Sequence, residues 1–296
     1  MLDLHEITLR DKAWMQPVLE KSGLRSEEYN FTFAYLWKDI LSFRVRELNG
    51  FIVQKSCNDR PAYLFPAGTG NAVPVIEAMI EDAKDCGHGF LFYTVLAEQC
   101  KLLDVLFPGK FDYWPIPKYD DYIYDAKSLI TLAGKKLHAK RNHINKFKSL
   151  YPDWSYEDIT PQNMPEVILM SAEWRRINET AGDKSLRDES RAMDVALCEF
   201  FNLGLSGGLI RAEGRVVAFS MGDRLNRDTW LVHIEKAFSD VPGAYAVINQ
   251  QFAERHCESY LYINREDDSG DEGLRKAKLS YYPAMRTEKY AARLRW

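Results

Sequence analysis

GKKLHAKRNHINKFKSLYPDWSYEDIT, residues 134–160, joins a cationic helical run to a point where the chain begins its pattern again. The first fifteen of these residues hold six Lys or Arg, two His and no acid. From Trp154, WSYEDIT alternates like a strand, as LHEITL does at residues 4–9. Upstream of the junction the chain reads as two helices (KAWMQPVLEKSG and EEYNFTFAYLWKD) and then three strands (LSFRVREL, FIVQKS and AYLFPAG). The helix VPVIEAMIEDAKDCG, the strand FLFYTVL, the helix AEQCKLLDVLFPG and the strand DYIYDA complete that half. Downstream the same order returns. Helices MPEVILMSAEWRRIN and ESRAMDVALCEFFNLG precede a hairpin expected at Glu213-Gly214 and the strand TWLVHIEKAF. The helix GAYAVINQQFAERH, strand SYLYINRED, helix EGLRKAKLSYYP and strand TEKYAARL follow.

Both halves thus read β-α-α-β-β-β-α-β-α-β. That order resembles the GNAT acyltransferase layout, present twice. The expected fold is α+β: two tandem GNAT-like domains with mixed sheets flanked by helices. The expected boundaries are residues 1–153, including a basic helix at 129–151, and residues 154–296, with the active cleft in the second domain.

The 296 residues are 46% hydrophobic and 28% charged, the balance of an ordinary globular protein. No stretch reaches the ~18–20 apolar residues a membrane helix needs. The opening MLDLHEITLRDKAW interleaves acids and bases without an apolar run, so no signal peptide is expected and the expected location is the cytoplasm. Five scattered cysteines without C-x-x-C spacing and six histidines without H-E-x-x-H argue against disulfides and against a metal centre. With 39 basic and 43 acidic residues the chain has no overall attraction for polyanions, so any anion site must be local.

Four runs carry a closer likeness: NFTFAYLWK, GKKLHAKRNHINKFKSLYPDW, HIEKAFSDVPGAYAVINQQFA and YINREDDSGDEGLRKAKLSYYP. Together they resemble the soluble catalytic portion of phosphatidylglycerol lysyltransferases and their stand-alone relatives, within the wider FemX-like group of tandem GNAT proteins. The resemblance implies an aminoacyltransferase that takes an aminoacyl group from aminoacyl-tRNA to an amine or hydroxyl acceptor. It also places a functional Lys at the position of Lys278. An acyl-CoA-dependent N-acyltransferase and a non-catalytic module that binds a small anion are the alternatives.

The expected cofactor is none. GNAT enzymes hold the pyrophosphate of acetyl-CoA on a Q/R-x-x-G-x-G/A turn at a helix N-terminus. The corresponding run here is Asp240-Val241-Pro242-Gly243-Ala244-Tyr245. Asp240 repels phosphate, by about 3 kcal/mol at ~5 Å and an effective dielectric near 20. Pro242 lacks a donor. As a helix N-cap, Asp240 has a simpler role.

On a helical projection, Ala133, Leu137, Ile144, Phe147 and Tyr151 form a stripe about 80° wide, and Lys140 falls inside it. Arg141 and His143 flank it. A cation inside an apolar stripe must snorkel or meet an anion. Lys140, Arg141, Asn142 and His143 are therefore candidate phosphate ligands, while the outer lysines read as a solvated face. In TWLVHIEKAF, strict alternation puts His233 and Glu235 on one face, where they can manage a proton together. Lys278 is expected to steady an oxyanion. Asn264, Arg265 and Glu266 end the next strand as a binding loop. Glu173, Trp174, Tyr245, Asn249 and Tyr281 complete the candidate substrate contacts.

Overall fold

The hairpin expected at Glu213-Gly214 forms because both residues turn left-handed, with φ of 50° and 75°. Such a turn matches the twist of the strands it joins, so Ala212 pairs directly with Arg215. Helix starts obey equally local rules: the side chains of Asn30, Asp125 and Asp271 each accept a hydrogen bond from a first-turn amide.

The computed structural model describes residues 1–178 and 184–295. The first pass runs β1 (His5–Glu6), α1 (Lys12–Ser22), α2 (Phe31–Trp37), β2 (Phe43–Leu48), β3 (Phe51–Ser56), β4 (Ala62–Leu64) and β5 (Ala67–Gly68). It continues with α3 (Val73–Asp85), β6 (Leu91–Leu96), α4 (Ala97–Leu106), β7 (Phe111–Pro115) and β8 (Tyr122–Asp125). Helices α5 (Ala126–Thr131) and α6 (His138–Leu150) lead into the second pass. That pass runs β9 (Ser155–Asp158), α7 (Met164–Asn178), α8 (Lys184–Cys198), α9 (Phe200–Leu203), β10 (Ser206–Ala212), β11 (Arg215–Arg224) and β12 (Thr229–Ala237). It ends with α10 (Ala244–His256), β13 (Tyr262–Asn264), α11 (Glu272–Leu279), β14 (Met285–Arg286) and β15 (Lys289–Leu294). The edge strand β7, which ends in Pro115, and the two-residue β14 do not stand out in the sequence.

The strands form two mixed sheets flanked by helices, as the α+β class requires. One has the order β1-β2-β3-β4-β6-β15-β7, with β5 beside β3; the other is β14-β8-β13-β12-β11-β10-β9. Each sheet therefore contains the last long strand of the opposite half. β8 pairs with β13 and β14, and β15 lies between β6 and β7. Residue 153 marks where the element order restarts, but the two sheets share strands across it. The larger core likewise draws on both halves, from Tyr29 and Phe31 through Tyr122 and Phe147 to Phe219 and Phe252. A smaller core of Val53, Tyr63, Phe90, Phe92 and Phe111 lies on the other side of the first sheet.

The basic helix is shorter than the expected 129–151. Leu132 is fully buried and adopts φ 49°, which ends α5, and Gly134 follows at φ 86°. Lys135 and Lys136 thus lie in a connection, and α6 begins only at His138. Among the described residues no helix is long and apolar enough to cross a membrane.

Where the exchanged strands cross, Lys289 is buried with three carboxylates. Its Nζ lies 2.5 Å from Asp121 Oδ1, 2.9 Å from Glu28 Oε2 and 3.4 Å from Glu27 Oε1. Among the described residues this is the one carboxylate group close enough to share a cation, and the Lys289 ammonium stands among them. Removing one partner of a buried ion cluster strands the others. We expect Lys289→Met to lose roughly 3–5 kcal/mol of unfolding free energy in urea titrations at pH 7.5. Asp121→Asn, which keeps two carboxylates around the ammonium, should lose much less.

Candidate functional site

Strands β12 and β13 pair in parallel only where Thr229–Leu231 faces Tyr262–Asn264. β12 runs on to Ala237 without β13, so the sheet opens at that point. A bulge decides which side chains enter the opening. Leu231 and Val232 pair with Asp223 and Gly222, but Ile234 and Glu235 pair with Met221 and Ser220, leaving His233 without a cross-strand partner. Paired residues share a face, so the extra residue moves Glu235 to the face of Trp230 and Val232. The joint action expected of His233 and Glu235 fails for that reason.

His233 is locked away from the opening. Its ring is 1% exposed, with Nε2 3.1 Å from Asp223 Oδ1 and Nδ1 2.9 Å from Glu266 Oε1. Asp223 in turn accepts from Asn30 Nδ2 at 2.9 Å and Thr32 Oγ1 at 2.5 Å, which ties β11 to α2. Burial pulls the imidazolium pKa down, but the hydrogen bonds and charges of the two carboxylates outweigh it and raise it from 6.5 to about 9. Asn264 is also framework: its Nδ2 donates to Arg25 O at 2.7 Å and Asp121 Oδ2 at 2.8 Å, and its Oδ1 accepts from the Glu266 amide. Lys278 is buried and donates to the carbonyls of Arg265, at 2.6 Å, and Asp267. Two of its three donors are committed to holding the 265–267 loop, in place of the oxyanion role expected of it.

On the other face a different set converges. Glu235 accepts from Arg265 Nη2 at 2.8 Å and from Asn249 Nδ2 at 2.9 Å. Arg265 Nη1 and Asn249 Oδ1, a donor and an acceptor, are buried with no hydrogen-bond partner among the described residues. The guanidinium lies over Tyr281 at 5.0 Å and Tyr124 at 5.5 Å. Lys140 reaches in from α6 with its Nζ 3.9 Å above the Tyr281 ring. Burial first, and then the nearby Arg265 charge, lower its pKa from 10.5 to about 8 against the pull of Glu235. The opening thus holds a carboxylate, a guanidinium, a part-neutral amine and a carboxamide between two tyrosines.

Of the remaining candidates, Arg141 turns its Nη1 to the carbonyls of Leu132 and Gly134, closing the α5–α6 connection. Asn142 and His143 are exposed, and Asn142 Nδ2 lies 3.2 Å from His138 Nε2. Glu173 is exposed on α7. Trp174 is buried beneath the Lys236 ammonium at 4.2 Å, and Tyr245 stands in the first turn of α10. Tyr124 and Asp223 were not expected at all. Tyr124 lies on a strand of the first half, and no local pattern announces that this strand joins the other sheet.

The start of α10, where a GNAT enzyme would place pyrophosphate, is covered. Gly243, not Asp240, caps the helix, with φ 89°. A Cβ there would lie 2.4 Å from His143 O and 3.0 Å from the Phe147 Cβ, so only glycine admits the backbone of α6 this closely.

Folding raises the His233 pKa, so its stabilisation is complete below pH 6.5 and is lost as pH climbs through 9. Nitrogen NMR should show an imidazolium at pH 7.5. The stability gap between wild type and His233→Gln should shrink across that window by on the order of 3 kcal/mol. A His233 that is neutral at pH 7.5 would contradict this account.

Comparison with known proteins places the chain as a whole. A crystal structure of a conserved protein of unknown function from Bacteroides thetaiotaomicron is 39% identical, with a TM-score of 0.96 over 100% of both chains. L-PGS from Bacillus licheniformis is 16% identical, with a TM-score of 0.68 over 99% of this chain and 94% of that one. FemX is 11% identical, with a TM-score of 0.59 over 98% and 97%. A tandem GNAT protein from the clavulanic acid biosynthesis pathway is 10% identical, with a TM-score of 0.52 over 99% of this chain and 98% of that one, and this chain shares its fold. An uncharacterised protein of Mycoplasmoides gallisepticum is 23% identical over 202 residues, and the match spans 61% of this chain and 61% of that relative's length. The family model for the C-terminal part of phosphatidylglycerol lysyltransferases matches residues 20–293, and the chain belongs to that family.

Proposed function

We propose that this protein is an aminoacyltransferase, moving an aminoacyl group from aminoacyl-tRNA to an amine or hydroxyl acceptor at the opening between β12 and β13. The observation that carries this reading is the buried pair of unpartnered atoms, Arg265 Nη1 and Asn249 Oδ1, held on either side of Glu235. An aminoacyl ester has a carbonyl oxygen to accept from the first and an α-amino group to donate to the second.

In this mechanism the acceptor nitrogen or oxygen attacks the ester carbon. Arg265 Nη1 stabilises the oxyanion that forms there. Lys140, part-neutral at a pKa of about 8, takes the acceptor's proton and returns it to the departing ribose oxygen as the ester C–O bond breaks. Glu235 keeps Arg265 and Asn249 in position. The membership of the family supports acyl transfer of this kind. The close approach of α6 to Gly243 supports a donor other than acyl-CoA, since pyrophosphate and the α6 backbone would compete for one place.

The test uses total tRNA charged with radiolabelled amino acids, mixed with a cell extract of lipids and small molecules. Label should leave the tRNA and enter a new product, with a rate that rises as pH passes through about 8. Arg265→Lys should slow transfer by ~10²–10³-fold, with little change in the unfolding midpoint. Lys140→Met should abolish the pH dependence. Calorimetry with CoA should show no binding. Label that stays on the tRNA with wild-type protein, or an Arg265→Lys protein as fast as wild type, would overturn the reading.

A further inference from the structure

Tyr281 and Tyr282 leave the end of α11 in opposite senses. Tyr281 is 6% exposed and lies beneath Lys140 at the opening, whereas Tyr282 is 51% exposed. Tyr282 also holds φ 54°, a left-handed conformation that is unfavourable for a residue with a large side chain. Its amide hydrogen-bonds to Leu279 O at 3.0 Å, which fixes the turn. The neighbouring α5–α6 connection brings the Lys136 Nζ to 5.4 Å from the Tyr282 ring centre. Lys135, Lys136 and Lys146 are exposed, and none of them has an ion-pair partner among the described residues. The surface beside the opening therefore combines a half-exposed ring with lysines that have no ion-pair partner among the described residues, in a chain whose net charge is −4.

Resting on the aminoacyl-tRNA reading above, we propose that Tyr282, with Lys135 and Lys136, is a stacking platform for the unpaired nucleobase at the 3′ end of the donor. Every nucleobase offers a π-face to an exposed ring, and lysines without acid partners neutralise the phosphates on either side of it. The Cα atoms of adjacent residues lie about 3.8 Å apart. A terminal nucleoside stacked on Tyr282 is thereby anchored next to the residue that lines the opening, with its ribose ester directed to Arg265 and Asn249. A small inorganic anion has no nucleobase for such a ring to hold.

The test measures binding of two short RNA hairpins, one ending in unpaired CCA and one ending in CC, by fluorescence anisotropy over a salt series. Wild type should prefer the CCA hairpin by roughly 5–100-fold, the range of one base–aromatic stack. Tyr282→Leu should bind both hairpins alike, at the wild-type affinity for CC, and Tyr282→Phe should keep the preference. The double variant Lys135→Gln, Lys136→Gln should weaken both hairpins equally and flatten the logarithmic salt dependence by ~1.4. If wild type binds the two hairpins equally, or Tyr282→Leu retains the preference, the platform is wrong and the tRNA reading stands. If wild type binds neither hairpin, the tRNA reading fails and the platform with it.

Discussion

The ammonium of Lys289, enclosed by Glu27, Glu28 and Asp121, is the point on which the two sheets depend. Three ionised carboxylates around one ammonium would leave a net charge of −2 in a dry interior, which is untenable without further compensation. Burial works against that ionisation. It raises the Glu27 pKa well above the usual range and lifts Asp121 to about 7, against the pull of Lys289. Lys289 opens β15 and Asp121 immediately precedes β8, so one cluster fixes the register of both exchanged strands. The backbone adds to it: the Lys289 amide donates to Asp120 Oδ1 at 3.0 Å.

From that cluster the constraints run outward to the opening. Asp121 accepts from Asn264, which orients the Glu266 amide, and Glu266 grips His233. Lys278 holds the intervening loop by its carbonyls. Arg265 lies between these fixed points and is therefore presented to Glu235 in one orientation. Two sets of charged side chains thus lie on opposite faces of β12, one committed to the framework and the other lining the opening. The bulge at His233 is what separates them.

The element order was legible because helices and strands announce themselves through short-range periodicity, and the Glu213-Gly214 turn through its residue types. The inward position of Lys140 was legible too, as a cation inside an apolar stripe. Other assignments failed for identifiable reasons. Alternation placed His233 with Glu235, but one extra residue in a strand inverts everything after it. The long basic helix broke at Leu132, whose burial in the core outweighs the cost of a left-handed backbone. Lys278, singled out by resemblance, proved to be a clamp on the loop that carries Arg265.

By itself the sequence determined the α+β class, the twofold recurrence of its elements and the family. These follow from local propensity and from motifs a few dozen residues long. Only the tertiary structure decided that β8 and β15 change sheets, that Arg265 serves Glu235, and that α6 covers the start of α10 and delivers Lys140 to Tyr281. These outcomes depend on pairings between residues 30 to more than 200 positions apart, such as Lys289 with Glu27 and Asn30 with Asp223. Choosing a partner for a buried charge is a global problem. Its solution depends on which other charges the folded core has already enclosed, and no window along the chain contains that information.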